Sequence, residues 1–586
     1  MAGMTGKLQI ISGSAHKKSE NKKTTKMKKT INIFIAALLV FALSGCEKFL
    51  DIDPQGSENS GNFFNNKENG TRAIIGIYDM LQLDEGAGPD DQWMGHHHDF
   101  FMGDIRSDDS EKGSNDGDYG SMWEMLEFTM TPQIGFSSDF WIHGYWGVSR
   151  ANYALDNLPG VSWDPAVRDR LIGEASFLRA YFYWYLVRLY GGVPLFTSSV
   201  SPSDFGKVQR ASLNECYALM AEDLKKAIEL LPERSAVPLA ETGRATKGAA
   251  RSLLARIYMY QIGTDIQNTT VTWQDVYDLT NDVITSGEYR LVPNYATLWE
   301  IENENSEESV FEIQFGVGAT DQAPGSIGTN CYNFQGNRKD DSGWGFNNPT
   351  PDLFEAYNAG VTNDPRQSCV FYGEKFNNGI LYGEKKKYER SEQGSDWLNR
   401  KAALPEKPAQ AKASDRNIIV IRYADVLLMH AEAAYYIGNI GEAQDKLNQV
   451  RARARNSTYC MGYAEGKMDY SAAPASVNLP DITSSGEQLL QAIWHERRLE
   501  LAMEALRFYD LVRTGRYFEV MDNEKNLRRA PGQEYGLGDK AYKQFPNLKA
   551  NGIAKSILGP NGHHVPLMPI PQTEVQAWGL EQNPGY

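Results

Sequence analysis

Cysteine is scarce, with five in 586 residues. That excludes a disulfide framework, and with no Cys-x-x-Cys pair it also excludes a cysteine-rich zinc module. Nowhere in the body of the chain do Lys and Arg cluster, and the formal charge is −16. Neutralising phosphates needs a basic face, so these features argue against a nucleic-acid partner. No apolar run reaches the ~20 residues of a membrane-spanning helix. Compositional bias is missing too. With 41% hydrophobic, 23% charged and 11% aromatic residues the chain is globular, not collagen, coiled-coil rod or disordered polymer.

The positive charge that exists is concentrated at the start. Residues 1–45 hold eight lysines and the single acid Glu20, and removing them takes the charge from −16 to −23. Met27-Lys28-Lys29 leads into the apolar stretch Ile31–Leu43, and Leu43-Ser44-Gly45-Cys46 follows. A basic stretch, a short apolar run and a small-residue cleavage site make a secretory signal. The segment before Cys46 resembles a bacterial lipobox, which implies that Cys46 is lipidated and becomes the mature N-terminus. Met27 begins a complete signal by itself, so residues 1–26 are read as an upstream extension before a true start at Met27, or else as an unusually long N-region. The expected organisation is a signal over 1–45 and a single domain over 46–586.

The body reads mainly as helix. Ile172–Leu189 carries apolar and aromatic residues on nearly every face, the pattern of a helix buried among others, and stops at Gly191-Gly192-Val193-Pro194. Ser212–Leu231 is amphipathic, with Ser212 and Glu215 spaced as a capping box. Thr246–Ile262 and Trp273–Ser286 form a further pair. In Tyr423–Arg455, Ala431 and Ala443 are spaced like the small residues at which the two helices of a tetratricopeptide unit meet. Between the helices lie long segments rich in Gly, Asn, Asp and aromatics: Gly86–Asp118, Val317–Pro351 and Phe371–Ala413. Loops this long are commonly functional.

Several clusters suggest chemistry. Glu496, Arg497, Glu500, Arg507, Asp510 and Arg513 recur at helical spacing, and Arg422 and Asp425 do likewise. Paired carboxylates could serve a glycosidase, but Arg–carboxylate pairs at helix junctions more often hold a scaffold together, which is the reading adopted. His96-His97-His98 lacks metal-ligand spacing and is read as a solvated loop. Asp104, Asp108, Asp109, Glu111, Asp116 and Asp118 do not fit an EF-hand register, which leaves an irregular structural calcium as the one cofactor to consider. Otherwise no cofactor and no metal are expected. Trp184 and Trp494 fall within helices and are read as core. Cys216, Cys331, Cys369 and Cys460 could form one bridge or none.

Six motifs in order resemble the SusD/RagB lipoproteins of Bacteroidetes. They are Cys46-Glu-Lys-Phe-Leu-Asp; Phe177-Leu-Arg-Ala-Tyr with Val187-Arg-Leu-Tyr-Gly-Gly-Val-Pro194; Ile421-Arg-Tyr-Ala-Asp through Ala433 with Leu447-Asn-Gln-Val-Arg-Ala-Arg453; Glu496-Arg-Arg-Leu-Glu-Leu501 with Arg507, Asp510 and Arg513; Pro569-Ile-Pro571; and Asn583-Pro-Gly-Tyr586. Ala505 and Phe508 stand where the family pattern has Gly and Trp. Each keeps an apolar core face, so neither departure counts against the resemblance.

The resemblance implies a mainly α-helical fold, with tetratricopeptide-type helical pairs packed against an irregular, loop-rich half. It implies a binding protein, not an enzyme: an outer-membrane lipoprotein that binds a glycan and caps a SusC-type TonB-dependent transporter. Sugar rings need flat aromatic surfaces and polar groups for their hydroxyls. The aromatics in the early and middle loops are therefore the candidates: Trp93, Tyr332 and Trp344, then Trp299. Asp104, Asn347 and Arg338 are the polar candidates. A helical glycoside hydrolase, and a tetratricopeptide adaptor or peptide-binding subunit of the transporter, are the alternative readings.

Overall fold

A computed structural model describes residues 63–82, 99–114, 117–127, 129–204, 206–264, 270–316, 329, 331–336, 343–373, 380–381, 384–385, 397–403, 414–460, 463–464, 467–468, 470, 476–521, 527–529, 542–544, 556–558 and 564–586. The signal, the lipobox and Cys46 lie outside these residues. The main folded unit runs Phe64–Tyr586. Among the described residues no helix is long and apolar enough to cross a membrane.

Antiparallel helices make the scaffold. The first are α1 (Lys67–Tyr78), α2 (Gly135–Asn157), α3 (Pro165–Tyr190), α4 (Leu213–Leu230), α5 (Lys247–Thr264) and α6 (Trp273–Thr285). α3 is buried on every face from Gly173 to Tyr190, as its all-round apolar pattern predicts, and includes Trp184. It ends at Gly191, whose φ of 76° suits a residue without a Cβ. α4 begins with the predicted capping box: Ser212 accepts from the Glu215 N–H, and the Glu215 carboxylate accepts from the Ser212 N–H.

The tetratricopeptide pair is α7 (Tyr423–Tyr436) and α8 (Ile440–Arg455), and Ala431 and Ala443 are both fully buried. α6 packs on α7, so the helical pairs follow one another in a continuous stack. The C-terminal motifs fold back onto the end of α3. The Met568 N–H donates to the Leu189 carbonyl at 2.8 Å, and Asn583 donates to the Tyr190 carbonyl at 3.0 Å.

Three short antiparallel pairings organise the other half. β1 (Ser110–Gly113) pairs with β3 (Phe346–Pro349), β2 (Ser309–Ile313) with β6 (Ile418–Arg422), and β4 (Phe371–Tyr372) with β5 (Leu398–Asn399). The last pairing joins the start of the long segment Phe371–Ala413 to Leu398–Asn399 within it. Trp397, inside that segment, is fully buried and stacks on Phe354 at 5.0 Å.

The Glu/Arg-rich motifs build buried ion-pair clusters, one around Glu496 and Glu500 and another around Asp425 and Asp510. α9 (Glu487–Glu500) supplies Glu496 and Glu500. Glu500 Oε1 accepts from Arg422 at 2.5 Å and Arg453 at 2.5 Å, and Oε2 accepts from Arg366 at 2.9 Å. Glu496 accepts from Arg366 at 2.6 Å and Arg451 at 2.6 Å. Asp425 binds Arg256 at 2.7 Å and Arg497 at 2.7 Å, and Asp510 binds Arg513 at 2.7 Å. Burial alone would raise the Glu500 pKa, but Arg453, Arg422 and Arg366 hold it well below the usual carboxylate range. Glu496, Glu500 and Asp425 are paired with arginines and shut off from solvent, and Asp510 is partly exposed.

The acidic loop is spent in the same way. Asp108 takes a two-pronged contact from Arg507, at 2.8 and 2.9 Å, and Asp109 accepts from Arg498 at 2.6 Å. Their charge is answered by guanidinium groups, so they do not form a cation cage. Asp116 and His96–His98 lie outside the described residues.

Candidate functional site

Where the helical scaffold meets the loop-rich half, a cavity of about 120 Å³ opens. Trp299, Glu300, Glu304, Tyr332, Lys401 and Arg416 line its polar side. That volume admits several waters, so it forms the floor of a cleft and is too small to enclose an oligomer.

Each wall comes from a different local device. Trp299 ends the turn Tyr295–Trp299, which Asn294 caps by accepting from the Ala296 N–H. Lys401 sits in the turn after β5, with its ammonium 4.5 Å from the centre of the Trp299 ring. The same ammonium donates to the Ala502 carbonyl at 2.7 Å and to Glu504 at 2.7 Å, which fixes it under the indole. Trp299 is half-buried, and its indole N–H has no hydrogen-bond partner among the described residues.

Tyr332 lies on the short helix Cys331–Gln335. Its ring is covered by the Arg416 guanidinium at 4.6 Å, and its hydroxyl donates to the Asn417 carbonyl. Arg416 is anchored by donating to the Ala403 carbonyl at 3.0 Å. Glu304 accepts from the Asn417 N–H, and burial pushes its carboxyl up to about 7. The floor thus alternates cations lying against aromatic faces with carboxyl groups that resist ionisation, a surface that offers donors, acceptors and ring faces.

The short helix separates the predicted aromatics. Tyr332 faces the cavity with Trp299, whereas Phe334, two residues on, points the other way and meets Trp344 edge to face at 4.3 Å. Trp344 is half-buried. The structure therefore brings Trp299 and Tyr332 together and places Trp344 on a separate cluster with Phe334. Trp93 and Arg338 lie outside the described residues.

Asp104 and Asn347 meet beneath this floor and are fully buried. Asn347 donates to Asp104 at 3.2 Å and to Gln335 at 2.8 Å, and accepts from Ser110. Asp104 also accepts from the Ala505 N–H at 2.9 Å. Burial raises the Asp104 carboxyl to about 8, with the Asp109 charge adding to it and the Asn347 bond opposing. In this conformation neither side chain reaches solvent. They brace the short helix from below through Gln335, which lines the cavity. Lys401, Arg416 and Gln335 are the residues that sequence reasoning missed. Their only signal was position, at the edges of the long loops.

Residues 307–586 match the model of the SusD family, and residues 101–259 match one described as starch-binding, associating with outer membrane. The chain is 27% identical over 527 residues to SusD-like protein P38 of Formosa agariphila, covering 84% of this chain and 94% of that one. It is 24% identical over 312 residues to the starch-binding protein SusD of Bacteroides thetaiotaomicron, covering 50% of this chain and 51% of that one. Among solved structures, a laminarin binding SusD-like protein superimposes with a TM-score of 0.64 at 26% identity, covering 89% of this chain and 100% of that one. The two matched segments take in most of the chain, and the helical stack and the ordered motifs agree with them: the chain belongs to the SusD/RagB family.

Proposed function

We propose that this protein is a cell-surface glycan-binding lipoprotein that acts as the lid of a SusC-type TonB-dependent transporter in polysaccharide uptake. The observation that carries the reading is the cleft floor at Trp299 and Tyr332, where two aromatic side chains, each backed by a fixed cation, line one cavity with Glu300 and Glu304. Rings stack on the C–H faces of sugars, and the polar groups between them select hydroxyl patterns. Trp93, Trp344 and Arg338 are kept as proposed further glycan contacts, while Asp104 and Asn347 brace the short helix that carries Tyr332. Relatives named for binding starch and laminarin support the choice of ligand class.

The protein works as a binding protein and not as an enzyme. Its most enzyme-like carboxylates, Glu496, Glu500 and Asp510, are consumed by buried arginines. Cys46, lipidated, tethers the lid to the outer membrane, since each buried acyl CH₂ contributes ~0.8 kcal/mol. The family description of association with the outer membrane supports that location. Closure over the barrel would trap the glycan between lid and transporter.

Affinity electrophoresis against a polysaccharide panel, beginning with laminarin and starch, tests the ligand class. Retardation by at least one glycan is expected, and none at all would refute it. Retardation unchanged in the Trp93→Ala/Trp344→Ala double variant would remove those two residues from the site. The transporter partnership predicts that a large β-barrel co-purifies with the chain from outer membranes.

A further inference from the structure

Two cysteines that are remote in sequence meet in one apolar cluster. Cys369 lies on the short helix Gln367–Val370, and Cys460 follows the end of α8. Both are buried, packed with Val292, Tyr295, Ala296 and Leu298, and Trp299 lies against the same cluster. The two thiols hydrogen-bond to one another. Their backbones are held in place independently of the sulfurs, since the Cys460 N–H donates to Ser368 Oγ at 2.8 Å. Arg400 Nη2 donates to Cys460 Sγ at 3.1 Å. Cys216 and Cys331 do not belong to this cluster.

We propose that Cys369 and Cys460 are the redox pair of this chain and form a disulfide when the exported protein meets a disulfide-class oxidant. The inference rests on export and is independent of the glycan reading. The chemistry begins at Cys460. Burial opposes its thiolate, but the Cys369 bond and the Arg400 charge outweigh burial and bring the thiol down to about 7. The Cys460 thiolate attacks one sulfur of the oxidant, forming a mixed disulfide and expelling the other sulfur as a thiolate. Cys369 loses its proton to that thiolate and attacks Cys460 Sγ, expelling the second. The protein loses two electrons and two protons, and the oxidant is reduced to two thiols. Both sulfurs are shielded in the finished fold, so exchange belongs to a stage at which Cys369 and Arg400 already lie beside Cys460 and the cluster is still open to the oxidant.

The bridge would tie together three segments under the Trp299 wall. Tyr295 N–H already donates to Ser457 Oγ at 2.9 Å, and Asn294 donates to Thr458 Oγ1 at 2.8 Å. Closing so long a loop favours the folded state chiefly by restricting the unfolded one.

The test is to unfold the full chain in urea with reductant, refold it in a buffer containing oxidised glutathione, alkylate without reduction and map the digest by mass spectrometry. The expected product is a single cross-linked pair, Cys369 to Cys460, two hydrogens lighter than the separate peptides, with Cys216 and Cys331 alkylated. Alkylation of both Cys369 and Cys460, or scrambled pairing with Cys216 or Cys331, overturns the proposal. Should refolding fail, the same map on chain extracted directly from outer membranes decides by the same two outcomes. As a second readout, dithiothreitol should lower the wild-type Tm by at least ~2 °C and leave the Cys369→Ala/Cys460→Ala variant unmoved. An equal shift in both, or none in either, contradicts the bridge.

Discussion

The ammonium of Lys401 lies 4.5 Å from the centre of the Trp299 ring, held there by the Ala502 carbonyl and Glu504. One face of the indole is thus occupied by a fixed cation, and the ring also packs against the apolar cluster of Val292, Tyr295, Ala296 and Leu298. Cation–π support of this kind is worth ~1–2 kcal/mol when desolvated. The rotamer of a binding tryptophan is therefore set before a sugar arrives, and less of the binding energy goes into ordering it.

Tyr332 separates ring from hydroxyl. Its hydroxyl is taken by the Asn417 carbonyl, so Tyr332→Phe should leave glycan affinity within about twofold while costing ~1 kcal/mol of stability. Tyr332→Ala should lose affinity by about tenfold, equivalent to ~1.4 kcal/mol. Calorimetry and thermal unfolding on the two variants separate these effects.

Glu500 holds three guanidinium groups in the interior. Glu500→Gln replaces their shared carboxylate by a neutral amide, although Arg366 keeps Glu496 and Arg422 and Arg453 keep Glu308, and should destabilise the fold by roughly 3 kcal/mol. The depressed pKa gives the sign with pH. The wild-type contribution is present above the unfolded value of 4.5 and is lost as pH falls through the lower folded value. Denaturant unfolding at pH 7 and in acid should show the two proteins converging in acid.

Asp104 works in the opposite sense. Its folded pKa, about 8, lies above the unfolded 3.8, so its contribution is complete below 3.8 and is lost as pH rises toward 8. Asp104→Asn should flatten the stability curve across that window, by an amount on the order of a few kcal/mol. Urea unfolding from pH 4 to pH 9 measures the difference in slope.

Ala505, which stands where the family pattern has Gly, sits in a backbone conformation that favours glycine. Its φ is 60°, where an L-residue is strained by ~1–2 kcal/mol. A Cβ on Gly103 would come within 1.9 Å of the Ala505 carbonyl oxygen, so the turn cannot relax in that direction. Ala505→Gly should raise stability by about 1 kcal/mol after the entropy cost of glycine. A higher urea midpoint with an unchanged slope would confirm it.

The helices were legible because their signals are local. The capping box at Ser212 and the Ala431–Ala443 spacing act within a few turns, and both appear as expected. The ion-pair role of Glu496 and Glu500 was legible as well, since their spacing puts both on one helix face. The site was less so, because it is assembled from segments remote in the chain. Nothing near Trp299 announces Lys401, and nothing near Asp104 announces that Asn347 will bury it. Aromatic content alone does not separate roles either: Trp397 and Trp299 flank equally polar loops, yet one is sealed under Phe354 and the other borders the cleft. Facing is decided by tertiary packing, and the short helix at Tyr332 shows how finely, since two residues of displacement send Tyr332 and Phe334 to opposite sides.

The central claim is that a glycan binds on the floor formed by Trp299 and Tyr332. Isothermal titration of laminarin and starch oligosaccharides into wild type and Trp299→Ala tests it most directly, with circular dichroism confirming that both are folded. The account predicts measurable binding by wild type to at least one of them and a loss of about tenfold or more in the variant, equivalent to ~1.4 kcal/mol. Equal affinity in the two folded proteins would contradict it.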